Sequence, residues 1–278
     1  MSEIPHESLF PTVTVHKNKV AIITGAGAVE NAWAPILATF RMLLPCDVDE
    51  DVANCLFAKY IYLLRAYSKF SDVKSVENLK IEIEQVKTLK DFICNRIKHD
   101  QKLGILKARK EFKRILIKFV FTDPNSIFGL VSTNWDTTID READEIVRKI
   151  YTDVESSKCF HIHGSVDFPD HVYLPSETSL ENYRTGEENK KHGLNHYVTL
   201  KFLQEANRII LYGLSLDPLD AELCQILNST FTTSSTLQEI IIINPDYTKV
   251  RNRVSFLLIP KTHIKIKCFV PENLEHEV

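Results

Sequence analysis

The sequence predicts an α/β fold, a parallel sheet with helices on both faces and one helical insertion, and three observations carry that prediction. Short apolar, β-branched runs recur along the 278-residue chain, helical patterns follow them, and a long stretch between the first two runs is helical in character. The runs are Val20-Ala21-Ile22-Ile23, Phe128-Gly129-Leu130-Val131, Arg208-Ile209-Ile210-Leu211-Tyr212 and Ile240-Ile241-Ile242-Ile243. Continuous apolar runs of this length, bounded by Gly, Asn or Asp, suit strands buried on both faces of a parallel sheet. The chain is long enough to form one domain over 1–278 that carries a sizeable insertion.

The insertion, 41–122, is almost free of Gly and Pro and rich in Leu, Ile, Lys and Glu. Leu56, Tyr60, Leu63, Leu64 and Tyr67 recur at helical spacing, as do Leu103, Leu106, Phe112, Ile115, Leu116 and Phe119. Asp47, Asp49, Glu50 and Asp51 at its start suit a helix N-terminus, where the helix dipole favours negative charge. The charged segment from Arg184 to Gly193, punctuated by Gly186 and Gly193, reads as a mobile loop.

Charge and cysteine usage exclude several classes. A formal net charge of -3 provides no global attraction to nucleic acid or anionic lipid. Six cysteines, Cys46, Cys55, Cys94, Cys159, Cys224 and Cys268, contain no C-x-x-C pair, which fits reduced thiols in a cytoplasmic protein better than a disulfide frame or a zinc ribbon. Met1 to His6 lead into no apolar segment of a secretory signal, and no later stretch approaches a membrane span.

The residues that bear chemistry stand where the predicted strands end. Thr24-Gly25-Ala26-Gly27 follows the first run; glycines there let a backbone approach a pyrophosphate, and they also serve a plain strand-to-helix turn. Ser132-Thr133-Asn134-Trp135-Asp136 follows the second, with Asn134 and Asp136 suited to a ligand crevice or to capping the next helix. His161-Ile162-His163-Gly164-Ser165 follows Cys159-Phe160, and in a strand the two histidines share a face. A metal there lacks a third and fourth ligand at ligand spacing, so none is assigned; Gly164 leaves room for a ligand beside His163. Gly213-Leu214-Ser215-Leu216-Asp217-Pro218 and Asn244-Pro245-Asp246 follow the last two runs. In an open parallel sheet such ends meet at one crevice.

Together these residues resemble the sirtuin family, from about Val20 to Asp246 with the helical insertion set aside. The family's G-A-G-x-S and its proline eight residues after the last Gly are matched by Gly25, Ala26, Gly27 and Pro35, with Val29 where the serine is expected. Its Q-N-x-D is similar to Thr133-Asn134-Trp135-Asp136, its His-Gly to His163-Gly164, its G-x-S to Gly213-Leu214-Ser215, and its late Asn to Asn244. The resemblance implies a Rossmann-like domain that binds NAD, with Gly25, Ala26, Gly27 and Thr133 in the NAD site and Gly213 and Ser215 at the phosphates. It implies Asn244 at the adenosine ribose, Asn134 and Asp136 at the nicotinamide and ribose, and His163 as the catalytic base.

Deacylating sirtuins carry two C-x-x-C pairs after the His-Gly, whereas this chain has only Cys224 and Cys268 there. No zinc is therefore expected, and the chain looks instead like the sirtuin-like NADases of prokaryotic antiphage defence, which hydrolyse NAD to nicotinamide and ADP-ribose. Deacylation, ADP-ribosyl transfer and non-catalytic NAD binding in an assembly are the alternatives. That resemblance also implies a homo-oligomer and a protein partner such as a HerA-type ATPase or a short Argonaute, with the insertion as the contact surface. Separately, Arg96, Lys98, Lys102, Lys107, Arg109, Lys110, Lys113, Arg114 and Lys118 stand against only Asp100 and Glu111. Such a basic amphipathic helix could touch nucleic acid; a solvated face is the favoured reading.

Overall fold

Val20 and Ile22 face one side of β1 (Asn18–Thr24), Ala21 and Ile23 the other, and all four are fully buried. A strand apolar on both faces needs cover above and below. The computed structural model, which describes residues 18–150, 159–258 and 263–278, provides it. After β1 the strands are β2 (Val29–Glu30), β3 (Lys107–Ala108), β4 (Ser126–Ser132), β5 (Cys159–His161), β6 (Arg208–Tyr212), β7 (Glu239–Ile243) and β8 (Lys265–Phe269). Six of them form one all-parallel sheet in the order β5-β4-β1-β6-β7-β8, while β2 and β3 pair antiparallel on their own. The chain runs outward from β1 to β5, returns to β6 beside β1, and runs outward again to β8. The strand order thus reverses between β1 and β6, as in a Rossmann-like sheet.

The helices are α1 (Ala34–Leu43), α2 (Glu50–Tyr67), α3 (Val73–Lys102), α4 (Glu111–Leu116), α5 (Thr138–Ile150), α6 (Gly186–Gln204), α7 (Ala221–Thr233) and α8 (Tyr247–Leu257). The sheet face bearing Val20 and Ile22 is covered by α1 to α5, and the face bearing Ala21 and Ile23 by α6, α7 and α8. The insertion is therefore the β1-to-β4 crossover itself, enlarged to four helices; position 41 falls within α1. Among the described residues no helix is long and apolar enough to cross a membrane, and all six cysteines carry free thiols.

Several local expectations change. The acids before α2 do start it, with Asp49 accepting from the Val52 N–H at 2.8 Å. Its buried stripe, however, is Ala53, Phe57, Ile61 and Leu64, so of the expected set Leu64 alone is fully inward. The stripe lies one residue round the helix, about 100° from the expected one. The pattern from Leu103 to Phe119 is not one helix: Gly104 turns the chain at φ +67°, β3 pairs with β2, and α4 runs into a π-helical segment, Ile117–Phe121. The basic stretch is consequently split among α3, β3 and α4 and presents no single face. The segment expected as a mobile loop at Arg184–Gly193 is mostly α6, begun by a capping box between Thr185 and Glu188.

Candidate active site

The carboxyl ends of β1, β4, β5, β6 and β7 open onto one cleft of about 1030 Å³ at the strand-order reversal. The residues that the resemblance assigns to the site all line it: Gly25, Ala26, Gly27, Thr133, Asn134, Asp136, His163, Gly213, Ser215 and Asn244. The opposite wall comes from the insertion, with Arg41, Asn54, Phe57, Arg96 and Arg109 among its lining.

Two strand-end turns lock backbone to backbone at the cleft floor. Gly25 N–H donates to the Tyr212 carbonyl at 3.0 Å and Gly27 N–H to the Gly213 carbonyl at 2.9 Å. A Cβ on Gly27 would stand 2.9 Å from the Gly213 Cα, and one on Gly213, at φ +65°, 2.3 Å from the Ala28 nitrogen. The glycines are required by this packing whatever the cleft binds. Beyond Gly213, Leu216 is held at φ 53°, a left-handed conformation that costs energy for a branched side chain. Arg253 of α8 pins it by donating to the Ser215 and Leu216 carbonyls at 2.7 and 2.9 Å. Asn244 likewise serves the frame, its amide donating to the Leu214 carbonyl at 2.7 Å and accepting from the Asp246 N–H at 2.8 Å. The Thr133 hydroxyl donates to the Thr24 carbonyl at 3.3 Å.

The β4 end positions Asn134 and Asp136. Asn134 Nδ2 donates to the Gly25 carbonyl at 3.3 Å, which ties this loop to the glycine turn and leaves the side-chain oxygen without a partner among the described residues. Asp136 is buried and accepts from the Thr138 N–H at 2.9 Å at the start of α5. It thus both shapes the turn into α5 and lines the cleft. Burial raises its pKa above the ordinary carboxylate value, against the bonds from Thr138.

The two histidines part company, because β5 ends at His161 and the chain turns there. His161 lies behind the cleft wall, Nδ1 against the Asn134 carbonyl at 2.9 Å and Nε2 against Asp140 at 3.0 Å. Both partners only accept, so an imidazolium satisfies them together; burial opposes that charge, but Asp140 outweighs it and the pKa is raised. The fold does not complete the histidine pair but gathers a different trio: Asp140, Cys159 and His161 have ligand atoms all within 4.8 Å of one another. Through its bonds to Asp140 and the Asn134 carbonyl, His161 steadies the Asn134 loop.

His163 points the other way, into the cleft, with Nε2 3.1 Å from Asp220 Oδ2. Its Nδ1 is buried without a hydrogen-bond partner. Burial favours the neutral ring, but the charge and hydrogen bond of Asp220, backed by Glu222 and Glu177, outweigh it and raise the pKa above the ordinary imidazole value. Asp220 is pulled the opposite way, below its ordinary value, because His163 more than offsets its burial. Its other oxygen accepts from the Leu223 N–H at 3.2 Å, so Asp220 caps α7 while it orients His163. Tyr173 packs edge-on against the His163 ring at 4.8 Å and bonds His196, which meets Glu222 at 2.5 Å. Gly164, expected to leave room for a ligand, has another purpose: at φ +75° its absent Cβ would lie 2.2 Å from the His171 carbonyl oxygen.

The sequence reading misses Asp220, although an Asp directly before the helical pattern Leu223, Ile226, Leu227 is a helix-start signal. No protein-family model, no curated protein and no solved structure matches the chain.

Proposed function

We propose that this chain is an NAD hydrolase that releases nicotinamide and ADP-ribose, with His163 as base, Asp220 as its positioning partner and Asn134 and Asp136 at the reacting sugar. The observation that carries the reading is the His163–Asp220 pair: Nε2 is engaged at 3.1 Å while Nδ1 is buried and unpartnered, in the cleft that Asn134 and both glycine turns line. A neutral imidazole that donates from one nitrogen keeps the lone pair of the other for a proton. A cleft of about 1030 Å³ has the size for a dinucleotide, at the top of the usual range of about 300–1,000 Å³ for ligand pockets.

The chemistry asks little of the protein. Nicotinamide in NAD is a cationic leaving group, so the C1′–N bond breaks with its electron pair going to the ring, which departs neutral. A water oxygen bonds to C1′, and its proton passes to His163 Nδ1. Asp220 then faces an imidazolium, the charge state its carboxylate favours. Asn134, anchored through Nδ2 to Gly25, would orient the ribose or the water with its free oxygen. Asp136 would hold the carboxamide.

The resemblance extends the reading to antiphage defence by NAD depletion, in a homo-oligomer or with a partner such as a HerA-type ATPase, and size-exclusion with light scattering checks the assembly: a strict monomer counts against it. Nicotinamide release from NAD by the wild type, and its loss in Asn134→Ala and His163→Ala, tests the activity.

A further inference from the structure

We infer that Arg109, carried by the helical insertion, is the cation that holds the diphosphate of the bound dinucleotide. The inference rests on the NAD reading of the cleft and names the group that neutralises the ligand's charge. It begins with a shortage. Three of the four amides from Gly25 to Ala28 are already engaged within the protein: Gly25 N–H with Tyr212, Gly27 N–H with Gly213, and Ala28 N–H with the Gly25 carbonyl at 2.9 Å. That leaves the Ala26 N–H alone among the four to face two negative charges, and a cationic side chain has to offset the rest.

Four cations line the cleft: Arg41, Arg96, Arg109 and Lys249. Arg41 is engaged with the Val48 carbonyl at 2.9 Å and Asp47 at 3.3 Å, and Arg96 grips both oxygens of Asp100 at 3.0 Å. Arg109 and Lys249 have no ion pair or side-chain hydrogen bond among the described residues, and both are exposed. Of these two, Arg109 is joined to the glycine turn. Its N–H donates to the Ala28 carbonyl at 3.0 Å, directly after Val29 and Glu30 pair with Ala108 and Lys107. The β2–β3 pairing thus delivers a guanidinium, whose planar donors suit phosphate oxygens, to the rim of a turn that is short of donors. Lys249 stands in the first turn of α8, beyond Asn244, on the other strand end.

Calorimetric binding of ADP-ribose to the full chain tests this, with nicotinamide release measured in parallel. Arg109→Gln is expected to weaken ADP-ribose binding about tenfold to a hundredfold, as for a lost charge-assisted hydrogen bond. Arg109→Lys should recover part of that loss, Lys249→Gln should lose less, and the KM for NAD should rise in step. A thermal melt of Arg109→Gln close to the wild type checks that the exposed substitution leaves the fold intact. Undiminished ADP-ribose binding by Arg109→Gln, or a larger loss in Lys249→Gln, would overturn the assignment, as would a wild type that does not bind ADP-ribose. Arg109-dependent binding without nicotinamide release would uphold Arg109 and sink the hydrolase reading. Release with an unchanged KM in Arg109→Gln would do the reverse.

Discussion

His163 lies between opposed influences, and the balance predicts a pH dependence. A base acts in its neutral form, and its pKa is raised above 6.5 because Asp220, Glu222 and Glu177 outweigh burial. Activity should therefore rise with pH through a limb above the ordinary histidine value. Asp220→Asn removes the main opposing charge, so the limb should move to lower pH while the rate falls about 10²- to 10⁴-fold. A limb that stays in place would show that Asp220 does not act on the base. Gly164→Ala should destabilise the fold by about 2 kcal/mol or more in urea titrations, since it combines a left-handed backbone with a contact on the His171 carbonyl. Wild-type stability in that variant would contradict the close crossing. Most of the site was legible at this scale because it sits at strand ends, where the sequence marks both the strand and the polar turn. Asp220 was not, because its partner His163 is 57 positions away and sequence spacing carries no trace of the pairing.

Among the elements, the buried strands were the most readable. β1, β4, β6 and β7 are apolar on both faces and announce themselves as continuous runs. β8 sits at the sheet edge and mixes Lys265 and Lys267 into its pattern, and β5 has three residues, too few for a period. The start of α6 was hidden by Gly186 and Gly193, which read as loop punctuation. Neither glycine has any neighbour within 4 Å of a built Cβ, so they lower helix propensity without turning the chain. The capping box prevails: Thr185 accepts from the Glu188 N–H at 3.2 Å, and Glu188 accepts from the Thr185 N–H at 2.8 Å. Thr185→Ala should therefore cost about 1 kcal/mol in urea titrations, and no measurable loss would mean that the box does not begin the helix.

Over the whole molecule, the insertion is bound to the cleft wall by charge as well as by packing. Phe57 of α2 packs against Phe40 and Trp135, with ring centroids 5.1 and 6.2 Å away, so the insertion's core touches the Asn134–Asp136 loop. Lys90 of α3 meets buried Glu177 at 2.9 Å, and Arg65 of α2 meets Glu181. Both acids belong to the segment that holds Tyr173 against His163. None of this clasp could be read beforehand, because each pair joins residues far apart in the chain, and charged residues usually signal a solvated surface. Burial opposes the charge on Glu177, but Lys90 and Arg184 hold its pKa at about 2. Its contribution to stability is thus full above the ordinary value of 4.5 and is lost as pH falls towards about 2. Lys90→Met should cost about 3 kcal/mol at neutral pH, the low end for breaking a buried pair, since Arg184 still faces Glu177; an unchanged denaturation midpoint would contradict the clasp. The central claim is that this cleft cleaves NAD with His163 as base, and direct measurement of nicotinamide released from NAD by wild type and His163→Ala tests it most directly. The account predicts release by the wild type and a loss of about 10²-fold or more in His163→Ala; full activity in that variant, or no release by the wild type alone or in its assembly, would contradict it.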